Sequence, residues 1–461
     1  MNLNKIHNVY FIGIGGIGMS ALARYFNMLG KYVGGYDKTP SVITKRLVDL
    51  GIAIHFEDSI QQVPEPFLNI ENTLVVYTPA VPKLHTELTY FQENQFSVYK
   101  RSEVLGFITK DTYCMAVAGT HGKTTTSTIL GHLLAEANLP MTAFLGGIAE
   151  NYDSNLILKG SKLSVVEADE FDRSFLRLFP NSACITSMDA DHLDIYGDSD
   201  SLKDSFQEFA NKIEGGGVLF LRTGLQLKSG LPENVKTFSY GWEDESDYQV
   251  VNVQIKDGAY VFDIKTPNGT FTNINLQLPG RHNLMNALVA FSMAHCYGVD
   301  VEFLKKGLKS FKGIQRRFSY QINHQKRVYI DDYAHHPTEI NAVHQAVREM
   351  YPGEKVLAIF QPHLFSRTRD FADDFAKSLS NFDELLLLDI YPAREEPIPG
   401  ITSTWLLSKI NNEHKQLIPK SWLLNEVVSS SARIVITLGA GDIGVEVSKI
   451  KEALLNEIKV D

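Results

Sequence analysis

Short apolar runs recur along the chain, and most are followed by a glycine or polar turn and then by apolar positions at helical spacing. Residues 8–12, Tyr32–Tyr36, Leu74–Tyr77, Met115–Ala118, Leu163–Val166 and Ala183–Thr186 read as strands. Val328–Ile330, Val356–Phe360, Leu385–Leu388 and Ile434–Leu438 read the same way in the last third. Helices are expected over Met19–Leu29, Ser127–Leu134 and Leu202–Lys212, with another beginning at Leu278-Pro-Gly-Arg. Residues 216–278 interrupt the pattern with strands and turns. Alternating strand and helix predicts an α/β chain. With 461 residues, 44% of them hydrophobic, it can bury large cores and divides into roughly three domains. A connector near Gly106–Asp111 and a boundary near Phe311–Arg317 place these at 1–107, 108–314 and 315–461.

The most informative stretch follows Met115–Ala118, where Gly119-Thr-His-Gly-Lys-Thr-Thr-Thr126 leads into a helical pattern. Glycines at 119 and 122 allow positive φ, so that backbone N–H groups converge on an anion at the helix N-terminus. Lys123 then reaches the outer phosphates of ATP, and the Thr124 hydroxyl is a ligand for Mg²⁺. The loop is shorter than the usual G-x-x-x-x-G-K-[ST], and the alternative is a glycine-rich turn with a solvated lysine. Glu167-Ala-Asp-Glu170 and Met188-Asp-Ala-Asp-His192-Leu-Asp194 follow the neighbouring strands. Carboxylates and a histidine there suit divalent ions bridging ATP and an acceptor; the alternative is solvated acidic turns.

Gly13, Gly15, Gly16 and Gly18, ahead of Met19, spell a dinucleotide fingerprint with Asp37 about twenty positions on. That pattern reports a pyrophosphate, which NAD, FAD and a UDP-sugar share. Asp37 is either a ribose ligand or a solvated turn carboxylate. Thr78 follows a strand end at the ligand crevice. His55, a lone histidine after an apolar run, is either structural, the commoner case, or a substrate residue. Asn283 and Asn286 share a helix face and suit either adenine or helix capping. Arg316 or Arg317 could reach across a domain cleft to a phosphate. Asp331–Glu339, Gln361–Arg369 and Gly439–Gly444 lie past strand ends; the first two suit a small carboxylate-bearing substrate, and the third is G-x-G-x-x-G by spacing.

Net charge is −10 with no Lys/Arg cluster, against a nucleic-acid surface. No apolar run approaches the roughly 18 residues of a membrane span. Glycines within Val9–Ala23 disfavour a signal peptide, and three dispersed cysteines suit the reducing cytosol.

In order, these motifs resemble the Mur ligase family end to end, and Tyr391-Pro-Ala-Arg-Glu-Glu-Pro-Ile-Pro-Gly400 resembles its alanine-adding branch. The family's short Gly-x-x-Gly-Lys-Thr loop accounts for the departure above. The resemblance implies an N-terminal Rossmann-like UDP-sugar domain, a central ATPase domain of phosphate-loop type and a C-terminal Rossmann-like domain that admits the amino acid. It implies that ATP phosphorylates the lactyl carboxylate of UDP-N-acetylmuramate and that L-alanine attacks the acyl phosphate. It assigns Gly119, Thr120, His121, Gly122, Lys123, Thr124 and Thr125 to ATP, with Thr124 and Glu167 on one Mg²⁺ and His192 on a second, Mn²⁺ being a substitute. Asn283 and Asn286 would meet adenine, Arg317 the γ-phosphate and Asp332 the nucleotide; His335, His363 and Arg367 would position the amino acid and the muramyl carboxylate. A homodimer is an open option. The rival within the family is a recycling ligase that adds a ready-made tripeptide; outside it stand an NAD-dependent oxidoreductase and a nucleotide-dependent switch.

Overall fold

The computed structural model describes residues 3–189, 196, 198–228, 230–256, 258–393 and 395–460. Three sheets order the chain. The first contains β1 (Asn8–Ile12), β2 (Tyr32–Tyr36), β3 (Ala53–His55), β4 (Thr73–Tyr77) and β5 (Ser97–Lys100), in the order β3-β2-β1-β4-β5. All its pairings are parallel. β1 is buried along its whole length, as a strand covered on both faces must be, and this is why it reads as a continuous apolar run. The strand order reverses between β1 and β4, the position at which open α/β sheets form ligand crevices.

The second sheet has ten strands: β6 (Tyr113–Ala118), β7 (Met141–Ala149), β8 (Ser154–Leu158), β9 (Leu163–Glu167), β10 (Ser182–Ile185), β11 (Val218–Arg222), β12 (Lys236–Trp242), β13 (Tyr248–Lys256), β14 (Ala259–Thr266) and β15 (Gly269–Leu276). Their order is β15-β14-β13-β12-β11-β10-β6-β9-β7-β8. Parallel pairing sets Val117 of β6 opposite Glu167 of β9, and Ala118 opposite Ile185 of β10. The carboxyl ends of β9 and β10 therefore flank the turn that leaves β6.

These two sheets share one apolar core, from Val9, Phe11 and Leu22 to Ala116, Phe144 and Val166. The stretch expected as a connector, Gly106–Asp111, is mostly helix: Arg101–Lys110 is helical, with Val104, Leu105 and Ile108 buried. Gly106 does not break this helix. It admits a close neighbour, since a Cβ there would lie 2.6 Å from the Arg177 carbonyl oxygen.

The chain forms two compact units, Met1–Val253 with Phe262–Asn275 and Met285–Phe311, and Gln254–Val261 with Leu276–Leu284 and Lys312–Asp461. The second unit carries the third sheet: β16 (Ser319–Asn323), β17 (Val328–Asp332), β18 (Val356–Phe360), β19 (Glu384–Leu387), β20 (Lys415–Leu417) and β21 (Ile434–Leu438). Its order is β16-β17-β21-β18-β19-β20, so the last strand inserts between β17 and β18. Alternation along the strands feeds two cores: Val328, Ile330, Ala358 and Ile436 face one side, and Tyr329, Leu357, Ile359 and Val435 the other. The expected strands are all present; β3, β5, β7, β8, β16 and β20 join them without having been named in advance.

Candidate active site

The turn after β6 is a phosphate loop in geometry as well as in sequence. Gly119 has φ +128° and Gly122 +84°, and Gly122 caps the helix Lys123–Glu136. A Cβ on Gly119 would stand 2.1 Å from Thr186 Oγ1, so glycine is required by contact as well as by backbone angle. The loop is tied to the segment after β10: Thr120 N–H donates to Ser187 O (3.2 Å), Thr120 Oγ1 to Asp189 O (2.9 Å) and His121 N–H to Ser187 Oγ (2.8 Å). Thr125 is buried in the first helical turn. Lys123 Nζ donates to Gly119 O at 2.8 Å and lies 2.9 and 2.7 Å from the two carboxylate oxygens of Glu170. Burial opposes the charge on Lys123, but Glu170, with Asp169 and Glu167, more than offsets it and raises its pKa. The lysine is thus held as a cation against the loop.

Thr124 Oγ1 donates to Glu167, at 2.9 and 3.0 Å from its two oxygens. A hydroxyl and a carboxylate at that separation are hard oxygen donors of the kind Mg²⁺ takes, and they fit such an ion. Among the described residues no group of three or more His, Cys, Asp or Glu could hold a metal. His192, expected on a second ion, lies outside the described residues, as do Asp191 and Asp194. No motif marks Gly146 on β7, where a Cβ would come 2.0 Å from Glu167 Oε2 and 2.9 Å from Thr124 Oγ1. Gly146→Ala is expected to displace Glu167, raising the Mg²⁺ concentration needed for half-maximal rate by about tenfold, a loss of ~1.4 kcal/mol in ion affinity. A magnesium titration of initial rates checks this.

At the first sheet Gly15 N–H donates to Asp37 Oδ2 (2.7 Å), and Asp37 also accepts from Thr39 N–H (3.3 Å). Gly13 lies against Thr78, whose Cγ2 would be 2.7 Å from an added Cβ. Arg101, which sequence reasoning passed over, lays its side chain beside Gly18 and puts a cation at the glycine loop. Gly16 completes the loop through its N–H to Gly13 O. Met19, in contrast, belongs to the apolar core.

His55 stands in a buried polar chain: its Nε2 is 2.7 Å from Tyr10 Oη, and Tyr10 donates to Glu87 Oε2 at 2.7 Å. Burial lowers the His55 pKa and raises that of Glu87 to about 7, against 4.5 ordinarily. Between those two values the folded chain holds a proton on Glu87 that the unfolded chain has released. Stability therefore falls as pH rises from 4.5 through 7. Glu87→Gln is expected to flatten this decline, which amounts to about 3 kcal/mol, in chemical denaturation at a series of pH values.

Asn286 Oδ1 accepts from Thr126 Oγ1 (3.2 Å) and sits over Gly122; Asn283, on the same helix, donates to Pro279 O at 2.6 Å. The phosphate loop and the adenine candidate Asn286 thus meet, while Asn283 also serves the turn before its helix.

In the second unit, the loops after β17 and β18 bring three expected residues together. The His335 and His363 rings are 6.1 Å apart, and Arg367 Nη1 is 3.5 Å from His363 Nδ1. Burial lowers the His335 pKa; Glu339 opposes the shift, and Arg367 and Arg317 add to it. The Tyr391 ring stacks on His363 at 5.7 Å, Leu364 N–H donates to Tyr391 O at 2.9 Å, and Glu395 accepts from Ser366 N–H at 3.0 Å. Leu364, at φ +71°, makes the turn that sets His363 and Arg367 side by side. Arg317 lies 3.9 Å from Glu339 and over the Tyr333 ring. Asp332 is turned inward, accepting from Phe318 N–H (2.6 Å) and Ala334 N–H (2.7 Å), and burial raises its pKa to about 6.

Gly439–Gly444 matches a dinucleotide loop by spacing, but its own chain fills it. Gln361 Oε1 accepts from Ile443 N–H at 2.9 Å, Gln361 and Lys420 bind Asp442, and Arg316 donates to Gly439 O at 2.6 Å. Arg316 is likewise paired with Asp331 at 3.2 Å, which leaves Arg317 the more available of the two arginines.

A phosphate loop after a strand whose two neighbours run parallel to it, with a lysine and an oxygen-donor pair beside it, defines an α/β protein built to handle nucleotide phosphates. Residues 8–113 match the Mur ligase family catalytic domain, 117–294 the Mur ligase middle domain and 316–453 the Mur ligase glutamate ligase domain. The chain belongs to the Mur ligase family. It is 62% identical over 454 residues to the UDP-N-acetylmuramate–L-alanine ligase of Flavobacterium psychrophilum, covering 98% of this chain and 99% of that one. Among solved structures it resembles the UDP-N-acetylmuramate-alanine ligase of Thermotoga maritima, with TM-score 0.82, 28% identity and coverage of 98% and 99%. A murein peptide ligase from Psychrobacter arcticus shares the fold, with TM-score 0.71, 21% identity and coverage of 97% and 98%.

Proposed function

We propose that this chain is an ATP-dependent ligase that joins L-alanine to the lactyl carboxylate of UDP-N-acetylmuramate, giving UDP-N-acetylmuramoyl-L-alanine, ADP and phosphate. The observation that carries the substrate assignment is the match, nearly end to end at 62% identity, to a relative named for this reaction. The tripeptide-adding alternative has structural neighbours at 21% and 24% identity, which speak for the fold alone. An oxidoreductase would leave Lys123, Thr124 and Glu167 without a role.

A carboxylate is a poor electrophile, and phosphorylation gives it a leaving group. Lys123 draws charge from the phosphoryl group in transfer, so that one anion can attack another. Thr124 and Glu167 would hold Mg²⁺, which when bound neutralises phosphate charge. Gly13, Gly15, Gly16, Gly18 and Asp37 would hold the sugar nucleotide, Asn283 and Asn286 the adenine, and Arg317 the γ-phosphate. His335, His363 and Arg367, which lie side by side, would meet the carboxylate of an amino acid. On this reading residues 1–107 serve the sugar nucleotide, 108–314 ATP and 315–461 the amino acid. The cytoplasm is the compartment that fits these substrates. Among the described residues, no helix is long and apolar enough to cross a membrane.

Phosphate release from ATP and Mg²⁺ with UDP-N-acetylmuramate tests the reading, with L-alanine or the L-Ala-γ-D-Glu-diaminopimelate tripeptide added in parallel. Turnover with alanine alone is expected. Turnover with the tripeptide alone would move the enzyme to recycling while keeping its ATP chemistry.

A further inference from the structure

The glycine loop of the first sheet and the phosphate loop of the second belong to one compact unit, and a buried polar contact ties the helix after the glycine loop to the second sheet. The helix that follows the glycine loop, Ile17–Met28, packs on the second sheet through apolar groups such as Tyr25 and Phe144, whose rings are 5.3 Å apart. Apolar packing is non-directional and tolerates sliding. Asn155, at the start of β8 and 1% exposed, does not: its Nδ2 donates to Ile17 O at 2.6 Å and to Ser20 Oγ at 2.9 Å. Ser20 Oγ itself donates to Ile17 O at 2.9 Å, which closes a triangle on the first helical turn beyond the glycine loop. The two acceptors also fix which side of the Asn155 amide carries nitrogen. Other links across this seam, such as Arg46 to Asp153 at 3.0 Å, lie in solvent and hold register weakly.

We propose that Asn155 is a positioning residue for the ligase reaction: by anchoring the first turn after Gly13–Gly18 to the sheet that carries the phosphate loop, it sets the sugar-nucleotide carboxylate in line with the γ-phosphate. The inference rests on the function proposed above. Asn155 touches neither substrate, so its effect falls on alignment rather than on either binding step. Misplacing reacting groups by about 1 Å costs on the order of 100-fold in rate.

The test uses the full chain with Asn155→Ala and, as a milder change, Ser20→Ala. Steady-state rates with all three substrates are measured beside calorimetric dissociation constants for UDP-N-acetylmuramate and for a non-hydrolysable ATP analogue. Asn155→Ala is expected to lower kcat by about 100-fold while both dissociation constants stay within about threefold; Ser20→Ala lowers kcat by several-fold with binding unmoved. A kcat within twofold of the unmodified enzyme, or a tenfold loss of binding with kcat retained, overturns the assignment. If Asn155→Ala does not fold, an unchanged kcat in Ser20→Ala overturns it equally. Failure of the unmodified protein to form the alanyl product would instead sink the proposed function, whatever the variants do.

Discussion

Lys123→Ala is expected to lower kcat by at least about 100-fold, a loss on the order of 3 kcal/mol or more in the barrier, and to leave UDP-N-acetylmuramate binding nearly intact. The lysine stands at the helix N-terminus with Nζ held by Gly119 O, Thr120 O and Glu170, so the ammonium is already placed at the loop and an arriving phosphate replaces one of those partners. On the proposed function it stabilises the charge that develops during phosphoryl transfer, and such interactions act on kcat. Its partner complicates the experiment. Glu170 is 1% exposed, and burial already raises its pKa; without the ammonium 2.7 Å away it would be an uncompensated buried charge and would take up a proton instead. Thermal unfolding of the variant must therefore be measured with its kinetics, and Lys123→Ala,Glu170→Gln separates the two effects. The double variant should regain stability but no activity. Lys123→Arg should not rescue either, because the space enclosed by Gly119 O, Thr120 O and Glu170 fits a compact ammonium better than a planar guanidinium. Ligation near the unmodified rate in any of the three would mean that the ATP site lies elsewhere.

The parts legible in the sequence are those whose cause is local. An apolar run buried on both faces announces β1 and β6, and a glycine at positive φ announces the phosphate loop, because each signal sits within a few residues of its consequence. What was illegible depends on partners distant in sequence. Glu170 is an acidic turn residue until folding sets it on Lys123. Gly146 has no local signature, and what requires a glycine there is the close approach of Glu167 and Thr124, the two proposed Mg²⁺ ligands. Gly439–Gly444 failed in the opposite direction: the spacing is right for a dinucleotide, and only the fold reveals that Gln361, Lys420 and Arg316 fill the loop. His55 had no decisive pattern either, since its neighbours Tyr10 and Glu87 come from other elements. The helix Arg101–Lys110 was obscured by Gly106, whose role is close packing against Arg177.

Arg367→Ala is expected to raise the KM for L-alanine by roughly 100-fold, about 2–3 kcal/mol, while acyl-phosphate formation continues. Arg367 is 8% exposed, and its guanidinium lies beside His363, so an amino-acid carboxylate entering there would meet a cation little screened by water. Lysine is a poor replacement, because a point charge cannot reproduce two parallel hydrogen bonds to a carboxylate. Trapping with hydroxylamine distinguishes the half-reactions: hydroxamate from the muramyl group should form in Arg367→Ala and be lost in Lys123→Ala. Loss of hydroxamate in Arg367→Ala with an unchanged KM for L-alanine would instead assign the arginine to the carboxylate being activated. The same substitution carries a pH signature. Burial is the main cause of the lowered His335 pKa, but Arg367 contributes, so removing it lets His335 take up a proton at higher pH. The acid limb of the KM profile for L-alanine should then move upward in pH. A purely structural loss of the Phe365–Asp370 helix would weaken binding at every pH and leave that limb where it was.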